Sequence, residues 1–130
     1  MTSNELWRLT ATQAVTKLRR GELSPLEMVE AAVSRIEAVE PKINALPIRF
    51  FDAAREQARQ FKREDRTHPG WLAGLPMAIK DYNDVAGELT TNGSPIFAEN
   101  RAQADDRTVA ALRDSAMAFS SGILPSNAPS

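Results

Sequence analysis

The junction Gly21-Glu22-Leu23-Ser24-Pro25 constrains this chain most, because it reads as the stop of one helix and the start of the next. Upstream, Thr10 and Gln13 have the spacing of a capping box, which satisfies two helix N-terminal donors reciprocally. The predicted helix buries Ala14, Val15 and Leu18, its last turn carries Arg19 and Arg20, and Gly21 supplies a left-handed cap. Ser24 is then an N-cap with Pro25 at N1 and Glu27 at N3. Val29, Ala32, Val33, Ile36 and Val39 repeat at helical spacing until Pro41, which is expected to stop the helix. A helical hairpin over residues 10–40 follows from local chemistry alone.

Beyond it the pattern changes. Ile43 to Ile48 reads as a first strand, interrupted by Pro47. A third helix is expected from Asp52, with Ala54, Ala58 and Phe61 on one face and a wet run of Arg55, Glu56, Arg59, Lys62 and Arg63 on the rest. That charge lacks the aromatic interleaving of an RNA or DNA surface, and the formal net charge is −1, so no nucleic-acid partner is implied. His68, the only histidine, precedes a proline in a turn-rich loop and reads as exposed. With one histidine and no cysteine, the sequence offers no disulfide, thiol nucleophile or metal-ligand cluster, and no cofactor is expected. No apolar run approaches the roughly 18 residues of a membrane helix. The first residues do not read as a signal peptide, so a cytoplasmic location is the expectation.

The chemistry sits at Gly74-Leu75-Pro76-Met77-Ala78-Ile79-Lys80-Asp81. Pro76 suits the first position of a strand, Met77 to Ile79 its apolar interior, and Lys80 its C-terminal end, where open α/β sheets place ligands. A lysine held out of water gives up its proton more readily than an exposed one and can serve as a general base. The plainer alternative is a strand-end lysine reaching water or pairing with Asp81. Downstream, Thr90-Thr91-Asn92-Gly93-Ser94 is a polar loop of ordinary turn residues, and Asp105-Asp106 open a further helix through Val109, Ala110 and Leu112.

Gly74-Leu75-Pro76-x-x-Ile79-Lys80-Asp81, with Asp84-Val85-Ala86-Gly87 and the Thr91-x-Gly93-Ser94 segment behind it, resembles the amino-terminal part of the amidase signature family. The resemblance runs over roughly residues 5 to 118 and takes in the helical hairpin. It implies an α/β fold, a small mixed sheet flanked by helices, and a partial domain over 1–118 followed by a divergent tail over 119–130. It also implies hydrolysis of a carboxamide to carboxylate and ammonia or amine by a Ser–cis-Ser–Lys triad in which Lys80 is the base. Thr91, Gly93 and Ser94 match a segment that lies beside the active site and helps hold it. Tyr82, following Lys80-Asp81, is closer to the free-standing amidases than to the transamidating tRNA subunits, which commonly place asparagine there.

The match fades near Ala118, ahead of the region where the family carries its nucleophilic serine, cis-serine and oxyanion donors. Ser120 and Ser121, beside Gly122, are the replacement nucleophile candidates, set against a plain strand-to-turn transition. Two functions stay open: an amidase acting on a small-molecule amide, or an inactive truncated remnant that binds or oligomerises. A small sheet with an open edge or an uncovered apolar face favours pairing with a second copy, so a homo-oligomer is the expected partnership, with neither nucleic acid nor membrane.

Overall fold

The computed structural model describes residues 2–46, 48–63, 67–116 and 123–124. A one-turn helix α1 (Ser3–Leu6) is closed by reciprocal Thr2 and Glu5 bonds and leads into α2 (Ala11–Arg19). The Thr10–Gln13 capping box forms as read: Gln13 N–H donates to Thr10 Oγ1 at 3.2 Å, and Thr10 N–H to Gln13 Oε1 at 2.9 Å. Helix α2 ends in a Schellman motif, in which Gly21 N–H donates to Leu18 O at 3.1 Å and Glu22 N–H to Lys17 O at 3.0 Å. Gly21 takes φ +70° there, and a Cβ on it would lie 2.7 Å from Arg63 Nη1.

Helix α3 (Pro25–Ile43) starts on the Ser24–Glu27 capping box and is longer than the sequence suggests. Pro41 does not stop it; it lies inside the last turn, and Asn44 closes the helix at φ 51°. The missing proline N–H costs the helix a single bond here. Asn44 N–H still reaches Glu40 O at 2.8 Å. The Glu40 carboxylate then takes the Ala45 and Leu46 N–H groups, each at 2.5 Å, and Arg49 Nη2 at 3.2 Å. Glu40 is only 4% exposed. Burial alone would raise its pKa, but these donors outweigh burial and hold the carboxyl below its ordinary range.

Of the strand expected over 43–48, Ile43 and Asn44 belong to the end and cap of α3, Ala45 and Leu46 to a connection, and Ile48 opens a strand. The described strands are β1 (Ile48–Arg49) and β2 (Ile123–Leu124), an antiparallel pair with Ile48 opposite Leu124 and Arg49 opposite Ile123. Between them along the chain lie α4 (Phe51–Gln60) and α5 (Arg107–Ala116). Among the described residues the run 76–79 holds a single bridge position, at Ala78, and no longer strand; the arrangement is helix-rich with one short antiparallel ladder, and the expected small mixed sheet is not seen in it. An isolated bridge between Leu89 and Arg101 ties the intervening loops. The expected boundary at 118 and most of the tail over 119–130 lie outside the described residues.

The core falls into three clusters, and α3 separates two of them. Met28 and Ala31 pack with Leu6, Ala14, Leu18 and Trp71, while Val29 and Val33 pack with Ala54 and Ala58 of α4. Helical periodicity finds the second face and misses the first. A helix packed on two sides carries two stripes, and a single-stripe reading captures one. Ala32, Ile36 and Val39 are half-buried. The third cluster, Ile79, Val85 and Val109, is flanked by Phe50, Leu72, Met77 and Leu112 and sits beneath the lysine motif.

Candidate functional site

The lysine motif begins with a close approach. Ala73 and Gly74 take φ 53° and 87°, and Leu75 N–H closes the turn on Leu72 O at 3.0 Å. A Cβ on Gly74 would fall 2.5 Å from Pro25 Cγ, so glycine is what lets this turn press against the first residue of α3. From there burial alternates: Ala78 is exposed, Ile79 buried, Lys80 exposed, Asp81 buried. The period is that of extended chain, with one bridge position at Ala78.

Asp81, not Lys80, is the anchored member of the pair. It is 5% exposed. Its Oδ1 accepts the Thr91 N–H at 2.8 Å, its Oδ2 accepts the Thr91 hydroxyl in a short bond, and its carbonyl accepts the Asn92 N–H at 3.1 Å. Thr91 is fully buried. Ser94 N–H returns to Thr91 O at 2.9 Å around Asn92 (φ 51°) and Gly93 (φ 67°). Positive φ at both central residues makes this a type I′ turn, for which Asn-Gly is the favoured pair. Gly93 N–H also reaches Thr91 Oγ1 at 3.3 Å, and Ser94 Oγ caps the short 3₁₀ turn Pro95–Phe97 through Ile96 N–H at 3.3 Å. The predicted residues Thr91, Gly93 and Ser94 thus form one structural unit, built on Asp81.

Lys80 departs from expectation. It is exposed rather than held out of water, and its Nζ stands 5.0 Å over the Tyr82 ring. The alternation of burial sends the Lys80 and Asp81 side chains to opposite faces of the chain. Ser120 and Ser121 lie outside the described residues. His68 is exposed, as read, and its Nδ1 accepts Gly70 N–H at 3.0 Å.

The far side of the motif is pinned to α5. Asn83 N–H donates to Lys80 O at 2.9 Å, and its Nδ2 donates to Asp106 Oδ2 at 2.7 Å. Asp106 Oδ1 takes Val109 N–H at 2.8 Å, the N-cap role expected of an acidic residue here. That backbone donor, followed by Asn83, holds the Asp106 carboxyl below its ordinary range. Asp105 does something else: it pairs with Arg113 at 2.5 and 3.2 Å and accepts Ala86 N–H at 2.8 Å. Burial would raise Asp105, but the Arg113 and Ala86 bonds prevail and lower it. Sequence reading misses these roles of Asp81, Asn83 and Asp105. The available signal is Asn92-Gly93, whose turn preference sets Thr91 at the start of a tight reversal.

Among the described residues no group of three histidine, aspartate or glutamate side chains could hold a metal ion. No helix among them is long and apolar enough to cross a membrane.

Residues 27–121 match the family model described as Amidase. The chain is 40% identical over 111 residues to a glutamyl-tRNA(Gln) amidotransferase subunit of Carboxydothermus hydrogenoformans, a match that takes in 81% of this chain and 22% of that protein. It is 36% identical over 112 residues to an amidase of Pseudomonas putida, covering 85% of this chain and 24% of the relative. A bacterial aryl acylamidase of the amidase signature enzymes superposes with a TM-score of 0.73 at 26% identity, over 91% of this chain and 24% of its own. The chain thus spans about a quarter or less of the length of these relatives. Relatives named as amidotransferase subunits and as amidases match at similar identity.

Proposed function

This chain belongs to the amidase signature family, and from that premise we propose that it carries the lysine-bearing part of a hydrolase acting on a carboxamide. The reading rests above all on the clamp of Asp81 on Thr91, which fixes the backbone beside Lys80 and leaves its amine outward. In this reading Lys80 accepts a proton relayed from a serine hydroxyl. The serine oxygen attacks the amide carbon, ammonia or an amine leaves with a proton, and water releases the acyl group as a carboxylate. Ser120 and Ser121 are the nucleophile candidates within this sequence, and Thr91, Gly93 and Ser94 support the lysine's position. An exposed lysine is suited to this role once a further surface covers it, since removal from water favours the neutral amine.

The test is ammonia release from a panel of aliphatic and aromatic amides by the purified chain and its Lys80→Ala variant. Turnover lost in the variant, and lost again in Ser120→Ala or Ser121→Ala, supports the reading. Turnover that survives Lys80→Ala overturns it.

A second reading has its own support. Tyr82, Ile96 and Phe97 are 61%, 86% and 45% exposed, which leaves large apolar side chains open to water around one loop system. They suit a chain that docks on a second copy or a fuller homologue and acts without turnover of its own. A folded sample that sediments as a dimer and releases no ammonia supports this reading over the first.

A further inference from the structure

We propose that Tyr82 is the positioning residue of Lys80: its ring face fixes where the amine stands, and Lys80 acts as a base from that place. The proposal deepens the carboxamide reading and rests on it for the consequence in turnover, while the placement itself is read without turnover.

The turn that carries the ring comes first. Asn83 N–H closes on Lys80 O at 2.9 Å, so Asp81 and Tyr82 are the two central residues of a tight turn. Both flanks of Tyr82 are tied down. Asp81 is buried and accepts the Thr91 N–H at 2.8 Å, and Asn83 Nδ2 donates to Asp106 Oδ2 at 2.7 Å. With its backbone held on either side, Tyr82 keeps only its two side-chain torsions, which makes an aromatic ring a rigid contact surface. Asp81 is turned inward, and the exposed Tyr82 ring lies on the Lys80 side, 5.0 Å from Nζ to the ring centroid.

An exposed lysine needs such a seat to serve as a base. Its amine is a compact charge on a flexible four-carbon stem, and a proton acceptor has to stand within hydrogen-bond reach of its donor. The adjacent carboxylate does not supply the seat, because Thr91 takes Asp81 on the opposite face. Lys17, by comparison, is held by Glu22 at 3.4 Å. The electron-rich ring face attracts the ammonium, and at an exposed site this favours the seated amine by about two- to fivefold. In the proposed reaction the amine becomes cationic as it takes the serine proton, and the ring face is where that cation rests.

The experiment is proton NMR of the full chain, beside Tyr82→Phe and Tyr82→Leu. Tyr82 is the only tyrosine, so contacts to its ring are unambiguous. The Lys80 ε-methylene protons are expected upfield of those of Lys17, Lys42 and Lys62, with nuclear Overhauser contacts to the Tyr82 ring. Tyr82→Phe should keep the upfield shift, because the ring face and not the hydroxyl makes the seat, and Tyr82→Leu should abolish it. Lys80 signals that coincide with those of the other lysines, or an upfield shift that survives Tyr82→Leu, overturn the proposal. In the amide assay Tyr82→Leu should lower kcat about two- to fivefold with KM unchanged, and Tyr82→Phe should restore it. An active parent whose kcat is untouched by Tyr82→Leu also overturns the proposal. A parent without turnover counts against the carboxamide reading instead, and the NMR comparison then decides the placement alone. Amide spectra of the variants that overlay the parent outside residues 80–83 separate loss of the seat from loss of the fold.

Discussion

Thr90 and Thr91 are adjacent, both buried, and opposite in their hydrogen bonding, so the same substitution should act on them in opposite directions. Thr91 donates its hydroxyl to the buried Asp81 carboxylate, whereas Thr90 Oγ1 is buried with no hydrogen-bond partner among the described residues. Thr91→Val keeps the branched shape and removes one donor from a buried charge, a loss of about 1.5–3 kcal/mol. At roughly 3–5 °C per kcal/mol for a chain of this size, Tm should fall by about 5–15 °C. Thr91→Ser retains the hydroxyl and loses one methyl, costing only about 1 kcal/mol. Thr90→Val exchanges an unsatisfied hydroxyl for a methyl, relieving a desolvation cost of about 1–3 kcal/mol, so its Tm should hold or rise. Urea unfolding of the three variants, with m-values checked for constancy, gives the comparison directly. If Thr91→Val and Thr90→Val shift stability equally, or Thr91→Val lies within about 0.5 kcal/mol of the parent, the Asp81 clamp is not holding this loop.

Other outcomes follow from the same physical terms. Gly74→Ala meets both a positive φ and a 2.5 Å approach to Pro25, whereas Gly87→Ala at φ +82° meets nothing within 4 Å. Gly87→Ala should therefore cost only the left-handed strain of about 1–2 kcal/mol, and Gly74→Ala distinctly more, as read by thermal melts of the pair. Glu40, Asp105 and Asp106 all have folded-state pKa values lowered from ordinary values of 4.5, 3.8 and 3.8. Groups lowered in the folded state add stability above those ordinary values and lose it as pH falls through the folded ones. The urea midpoint should thus stay level from about pH 7 to 5 and drop below about pH 4. Glu40→Gln should lower the midpoint at neutral pH and flatten part of that acid decline; an unchanged acid limb would count against the role of Glu40. Within the proposed reading, Lys80→Ala should abolish ammonia release while leaving the urea midpoint near that of the parent, because the Lys80 side chain is exposed.

Sequence alone determined the features whose cause is local. Thr10 with Gln13, Ser24 with Glu27, and Gly21 after Arg20 name their helix ends because each bond spans only a few residues. The lysine motif was legible too, by resemblance, and so was the burial of Ala54 and Ala58. The rest was set by contacts distant along the chain. Pro41 is an ordinary stop signal, overridden because Glu40 turns inward to gather the N–H groups of Ala45 and Leu46 and the Arg49 side chain. Met28 and Ala31 became core because α1 and α2 pack on the side of α3 opposite α4. The apolar run before Lys80 looks like a strand; the tertiary arrangement gives it one bridge position, at Ala78, and uses the run to seat Ile79 in the core and Asp81 on Thr91. Lys80 faces water for the same reason: once Ile79 and Asp81 point in, an extended backbone turns the residue between them outward.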